Sequence, residues 1–136
     1  MPPTPHEHRL RVRYGETDQM GVVHHANYLL YFEEGRTRMM RDLGVPYSEL
    51  EKQGWALPVR KVEMRFRQSA RYDDELVVRT KVGRLRAASI EFEYEVVDAI
   101  SGQLVATGST ELACIDTRTT NRRVAVLPDS LRQLFE

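Results

Sequence analysis

The sequence predicts an α+β domain in which one long helix packs against an antiparallel sheet. Three observations point there. A single extended helical pattern runs from Ala26 or Asn27 to Leu43. After Gly54 the chain is almost wholly alternating, apolar against charged, in segments separated by short turns. Strands that follow one another through short turns run antiparallel, because a parallel crossover needs a dozen or more residues. One helix against about five such strands is an α+β arrangement.

Met1 to His8 is proline-rich and polar and is expected to be a loose tail, leaving residues 9–136 as one domain. His6 and His8 share one side if that segment is extended, but two ligands do not make a metal site. In Arg9–Tyr14, Leu10, Val12 and Tyr14 alternate with three arginines, the signature of a half-buried strand. Gly15–Gly21 breaks the pattern with turn residues. The long helix follows, with Asn27 as a candidate N-cap, Glu34 and Arg38 as an i,i+4 pair, and Gly44 and Pro46 as its stop. Tyr28 to Phe32 is apolar on every side, which implies enclosure by a curved sheet or a second subunit. Gly35 costs about 1 kcal/mol relative to Ala in a helix, so a close approach of another backbone is expected there.

Pro46–Gln53 reads as a short helix stopped by Gly54. Strands are then expected around Val62–Phe66, over Glu75–Val82 with Gly83 as its close, over Ile90–Val96, and over Gln103–Ile115 after a hairpin at Asp98–Gly102. A brief helix over Asp129–Phe135 ends the pattern.

With 20 basic and 20 acidic residues, no global field draws this chain to nucleic acid or to a membrane surface. The 41% hydrophobic and 29% charged content is that of an ordinary globular protein. No apolar run approaches the ~20 residues of a membrane span, and the N-terminus lacks the apolar core of a signal peptide. The expectation is a cytoplasmic protein. Cys114 is the only cysteine, which excludes an internal disulfide, and its place in a strand suggests a buried, inert thiol.

Chemistry gathers where the Gly15–Gly21 turn meets the helix. Asp18, a turn-stabilising carboxylate on its own, lies within a dozen residues of His24, His25 and the free amides of a helix start. Adjacent histidines are expected to diverge, and they lack the i,i+4 spacing of a zinc helix. No G-x-S-x-G elbow, G-x-G-x-x-G loop, Walker loop or H-E-x-x-H is present.

The stretch Tyr14–Arg36, with Tyr14, Thr17, Asp18, Gly21, Val22, Val23, His25, Ala26, Asn27, Tyr28, Phe32, Glu33 and Arg36, resembles the hotdog-fold acyl-CoA thioesterases of the 4-hydroxybenzoyl-CoA thioesterase family. It is nearest the branch that includes the Tol-Pal-associated thioesterase. V-R-K-V-E-M-R-F (Val59–Phe66), A-R-Y-D-D-E-L (Ala70–Leu76) and S-I-E-F (Ser89–Phe92) extend the resemblance along the chain. The resemblance implies a long central helix wrapped by a five- to six-stranded antiparallel sheet. It also implies dimers joined edge to edge, often paired into tetramers, with active sites between subunits.

It assigns the catalytic carboxylate to Asp18, as nucleophile or general base, and sets the backbone amide near His25 against the thioester oxygen. The His25 side chain would position water or carry a proton, with Tyr14 as a hydroxyl donor. Val23 and Tyr28, with Leu57, would shape the acyl pocket, and Arg84, Arg86 and Ser89 would meet coenzyme A, with Arg122 and Arg123 as further candidates. An acyl-CoA would be the substrate and no metal or redox cofactor is implied. His24 stands where relatives often carry an aromatic, and Gln19-Met20 replaces small residues, departures that bear on acyl specificity. Another hotdog branch uses a helix glutamate, here Glu33 or Glu34. A different class, a non-catalytic acyl-CoA or acyl-carrier binding module, fits the same pattern.

Overall fold

The computed structural model describes residues 5–135. The chain forms β1 (His6–Arg11), a single 3-10 turn over Tyr14–Glu16, the long helix α1 (Asn27–Asp42) and the short helix α2 (Tyr47–Lys52). There follow β2 (Trp55–Ala56), β3 (Val59–Phe66), β4 (Glu75–Leu85), β5 (Ser89–Asp98), β6 (Leu104–Ala113), β7 (Ile115–Asp116) and α3 (Asp129–Phe135). Five strands make one sheet in the order β1-β4-β5-β6-β3, and β2 pairs with β7 apart from it. Every pairing is antiparallel. The α+β class and the antiparallel sheet are as expected.

The helix lies across one face of the sheet, against β1, β4 and β5. Its contact face is Tyr28, Tyr31, Phe32, Gly35, Met39 and Met40, all buried, at the spacing of one helical stripe. Phe32 stacks flat on Tyr94 of β5 with ring centroids 4.3 Å apart. It also sits over Gly108 of β6, where a methyl group would fall 2.6 Å from the ring. Gly35 makes the close approach expected of it, although to side chains rather than backbone: a methyl there would lie 2.6 Å from Thr80 Oγ1 and 2.8 Å from Val78 Cγ1. Gly44, with φ of 92°, stops α1 in the left-handed region that favours glycine.

Several expected boundaries move. Residues 6–8, expected in a loose tail, are strand: β1 pairs with β4 from His6↔Thr80 to Arg11↔Glu75. Apolar periodicity could not reveal this, because what docks them is polar. His6 Nε2 lies 2.8 Å from Asp42 Oδ2 and His8 Nε2 3.1 Å from Glu34 Oε2, so each histidine faces its own helix carboxylate. Residues 1–4 of the expected tail lie outside the described residues. Glu34 is thereby engaged with His8, and Arg38 bonds Asp42 instead of Glu34.

Asn27 is the first helical residue, and Ala26 holds the cap position with no side-chain cap. The first helical turns are not enclosed within the protomer, since Leu29 and Leu30 are 39% and 53% exposed. The β3 strand sits at the sheet edge with Val59, Val62 and Phe66 exposed. Beyond Val82, β4 continues through Gly83 with a bulge to Leu85. The long final strand expected to reach Ile115 leaves the main sheet at Cys114, and Ile115–Asp116 pairs with Trp55–Ala56. Cys114 is fully buried, and burial raises its thiol pKa, as suits an inert core residue.

Candidate active site

The loop between the 3-10 turn and α1 folds back on itself. The Asp18 amide donates to the Val22 carbonyl at 2.9 Å, the Gly21 amide to the Asp18 carbonyl at 2.9 Å, and Thr17 bridges Val23. Gly21, with φ of 80°, makes this tight closure. The Asp18 side chain belongs to the same device. Its Oδ1 accepts from the Met20 amide at 2.9 Å and the Val22 amide at 3.4 Å. Its Oδ2 has no partner among the described residues. One carboxylate oxygen fixes the rotamer and the other is available for chemistry.

Glu16 clamps this loop to the helix. Its carbonyl accepts from the His24 amide at 2.9 Å and from the Asn27 side-chain amide at 2.9 Å. Its Oε1 accepts from the Tyr31 hydroxyl at 2.9 Å and the Arg13 amide at 2.8 Å. Burial, the bond to Glu16 and the Glu16 charge all push the Tyr31 phenol well above its usual range. Glu16 and Tyr31 were not singled out from sequence. The one available signal was a glutamate three residues after Arg13 at the start of a turn.

The helix starts through tightened bonds, with Asn27, Tyr28 and Leu29 amides reaching the carbonyls of His24, His25 and Ala26. The Ala26 amide donates to His24 Nδ1 at 3.2 Å. The His25 amide has no acceptor among the described residues, a free donor at the helix N-terminus. The imidazoles do not diverge as expected: the His24 and His25 rings stack, 4.3 Å apart and inclined 28°. They sit in the irregular turn before Asn27, where neither helical nor strand geometry separates neighbours.

The structure brings Asp18, Val23, His25 and Tyr28 to one end of the sheet. Val23 is buried and its amide donates to Ala70 at 2.8 Å, while Val22 bridges Arg71. Tyr28 is buried against Tyr31 and Phe66, and burial followed by the Asp74 charge pushes its phenol up to about 12. Tyr14 is 76% exposed and its ring stands edge-on to Tyr72 at 5.5 Å, with no bond to Asp18 or His25.

Arg84, Arg86 and Ser89 are at the opposite end. The Asp18 loop adjoins Arg71, just before β4 begins, whereas Arg84 nears the end of that strand. Eleven residues of strand separate the ends by roughly 33 Å. Ser89 is buried, and the Arg86 amide donates to its carbonyl at 2.9 Å in the β4–β5 hairpin. Arg122 and Arg123 are exposed in the segment that pairs back on Asp116.

Asp18 is absent from the lining of the two hollows that flank the sheet and the helix. A depression of about 420 Å³ lies on the charged outer face of the sheet, among Glu63, Arg65, Lys81 and Glu93. Another, of about 360 Å³, lies between α1 and the start of β3 and includes Leu57. Among the described residues no three His, Cys, Asp or Glu side chains gather as a metal site, and no helix is long and apolar enough to cross a membrane.

Comparison with known proteins places these features in a family. Residues 12–135 match the model of the thioesterase-like superfamily. A putative acyl-CoA thioesterase of Bacillus subtilis, YneP, is 36% identical over 79% of this chain and 77% of its own. The acyl-CoA thioester hydrolase YbgC of Escherichia coli O6:H1 is 33% identical over 79% of both. Among solved structures, a DHNA-CoA thioesterase from Staphylococcus aureus superposes with a TM-score of 0.90 at 30% identity, over 96% of this chain and 88% of that one. With a family model spanning the Asp18 loop, the helix and every strand of the sheet but β1, this chain belongs to the thioesterase-like superfamily, a hotdog fold.

Proposed function

We propose that the protein is an acyl-CoA thioesterase, a thioester hydrolase of the 4-hydroxybenzoyl-CoA thioesterase family and of the branch that includes the Tol-Pal-associated enzyme. The observation that carries this reading is the Asp18 loop. A carboxylate held by two backbone amides, with one oxygen unengaged, precedes by a few residues a helix start whose His25 amide is a free donor.

That pairing suits acyl transfer. The carbonyl oxygen gains negative charge when the thioester is attacked, and a fixed donor there is worth about 3 to 4 kcal/mol. Asp18 either attacks the carbonyl carbon or takes a proton from water that does. In the first course the C–S bond breaks with departure of the coenzyme A thiolate, and water then cleaves the acyl-aspartate anhydride. In the second, the carboxylate passes the water proton to the leaving sulfur. Both consume one water and yield free thiol and a carboxylic acid, with no metal or redox cofactor. His25 would position the water, and Tyr14 would have to turn from Tyr72 to contribute its hydroxyl.

The remaining parts come from pairing two protomers through β3. The edge is open, with Val59 at 40%, Val62 at 39% and Phe66 at 50% exposure, beside the uncovered Leu29 and Leu30. Strands joined antiparallel about a two-fold axis set Phe66 of one beside Val59 of the other. Val59 pairs with Leu112, and Ala113 with Ser89, so Ser89, Arg84 and Arg86 of the partner subunit would come to the Asp18 end. Guanidinium groups suit the phosphates of coenzyme A. Two such dimers would make a tetramer, working on cytoplasmic acyl-CoA.

A free-thiol assay across acyl-CoAs from acetyl to palmitoyl, with benzoyl and hydroxybenzoyl included, tests the reading. Turnover above background on at least one is expected. Tight binding of acyl-CoA with no thiol released would instead support a binding module, a reading favoured by the turn-holding role of Asp18 Oδ1.

A further inference from the structure

The cleft between α1 and the start of β3 contains a charge that its surroundings do not balance. Its walls include Glu33, Arg36, Thr37, Tyr47, Leu57 and Val59. Most polar groups there are satisfied locally: Thr37 Oγ1 donates to the Glu33 carbonyl at 2.8 Å, and the Tyr47 hydroxyl accepts from the Leu57 amide at 3.0 Å. Arg36 is different. Its side chain is 11% exposed, yet its Nη1 reaches only the Tyr94 hydroxyl, at 3.5 Å. Its Nη2 is 3.9 Å from Glu33 Oε2, and that glutamate is 61% exposed.

A guanidinium keeps its charge inside proteins and offers five donors in a planar fork. Removing it from water is costly unless an anion and further hydrogen bonds compensate. Tyr94 is not that anion. Burial raises its phenol pKa, so it stays neutral, and its hydroxyl already bonds Thr110 Oγ1 at 2.5 Å. Glu33 is at the outer limit of an ion pair and stands in solvent. The fork is therefore aimed into a cleft, largely desolvated, with room for a carboxylate.

Val59, which lines the cleft, is 40% exposed on the open β3 edge. In the edge-to-edge pairing above, that end of one protomer lies beside the Asp18 end of the other. We propose that Arg36 is a specificity residue that receives the carboxylate at the far end of a dicarboxylic acyl group, so that the favoured substrates are ω-carboxyacyl thioesters of coenzyme A. The inference rests on the thioesterase reading and on the β3 pairing. Glu33 then acts as a counter-charge that the substrate carboxylate must displace.

The experiment compares adipyl-CoA with hexanoyl-CoA and suberyl-CoA with octanoyl-CoA, pairs equal in chain length that differ in the distal carboxylate. The wild type should favour the dicarboxylic member in kcat/KM by on the order of 10- to 100-fold, the span of a hydrogen bond to a charged group. Arg36→Gln should bring the ratio close to one while leaving hexanoyl-CoA turnover within a few-fold. Arg36→Lys should restore part of the preference, as a point charge without the fork. Glu33→Gln should raise the ratio. A purely structural Arg36 would lower both substrates alike and leave the ratio unchanged.

Non-hydrolysable thioether analogues of the same pairs, measured by calorimetry, report the preference without turnover. They also serve if Arg36→Gln does not fold, since Glu33→Gln shifts the same ratio. Equal values for the two members of each pair in the wild type, or a ratio indifferent to both substitutions, overturns the proposal. If the analogues show the preference but no thioester is hydrolysed, the Arg36 assignment stands and the thioesterase reading fails. Hydrolysis without preference sinks Arg36 alone.

Discussion

At the scale of single residues, Glu16 and Tyr31 explain how a short polar loop holds a carboxylate in place. Tyr31 donates to a Glu16 carboxylate that is itself only 12% exposed and bonded to the Arg13 amide. Tyr31→Phe should cost about 1 kcal/mol in denaturant unfolding, one net hydrogen bond. It should reduce turnover more than stability, because the loop carrying Asp18 loosens while the core remains. A fall in turnover no larger than the fall in folded population would detach Glu16 from the site.

Tyr28 supplies a pH signature. Its folded-state pKa is pushed to about 12 by burial, then by Asp74. A raised pKa means that the native state holds the proton more tightly than the unfolded chain, whose tyrosine titrates near ~10. The contribution is complete below that pH and is lost as pH rises towards 12. Part of the alkaline loss of stability should therefore vanish in Tyr28→Phe, read by denaturant unfolding across that window. Asp18 took its expected role from the Tyr14–Arg36 resemblance, since on its own it read as a common turn-stabilising carboxylate. Glu16 was not visible in the sequence, since its role depends on Tyr31 fifteen residues away on the buried face of α1.

At the scale of elements, α1 is placed by the absence of side chains as much as by their presence. Ala at position 35 would gain about 1 kcal/mol of helix propensity. It would also drive a methyl into Val78 and Thr80, both buried on β4. Overpacking of this kind costs about 1 to 3 kcal/mol, so Gly35→Ala should lower the unfolding midpoint. An unchanged or raised midpoint would mean that helix and sheet separate at little cost.

The same helix shows what periodicity can and cannot reveal. Gly35, Met39 and Met40 were legible as a stripe in the second half of α1, although Leu43, expected with them, is 44% exposed; the stop at Gly44 and the alternation of β5 were legible too. The docking of β1 was not, because His6–Asp42 and His8–Glu34 join polar groups 36 and 26 residues apart. Nor was the departure at Cys114, which follows from β2 offering a second, short sheet.

At the scale of the whole molecule, one protomer carries the Asp18 loop at one end of the sheet and the hairpin arginines at the other. Apolar exposure marks the edge that would reunite them. A lysine at Val62, in the middle of β3, places charge on that edge, the device by which natural sheets prevent pairing. Light scattering should find the wild type as a dimer or larger and Val62→Lys as a monomer, and hydrolysis should fall with the pairing. A monomeric variant with full turnover would confine the site to one chain. The thioesterase-like superfamily was legible in the Tyr14–Arg36 motif, while the proposed division of the site between protomers rests on β3 being an edge, which no spacing records.

The proposed chemistry rests on the free Oδ2 of Asp18. Asp18→Asn tests it most directly, because an amide oxygen can still accept from the Met20 and Val22 amides and so preserve the turn. Released thiol should be followed for this variant beside Glu33→Gln and Glu34→Gln, on whichever acyl-CoA the wild type turns over best. A loss of about 100-fold or more in kcat is predicted for Asp18→Asn alone, with unfolding unchanged. Wild-type turnover in Asp18→Asn, with the loss falling instead on Glu33→Gln or Glu34→Gln, would contradict the account and move the base to the helix.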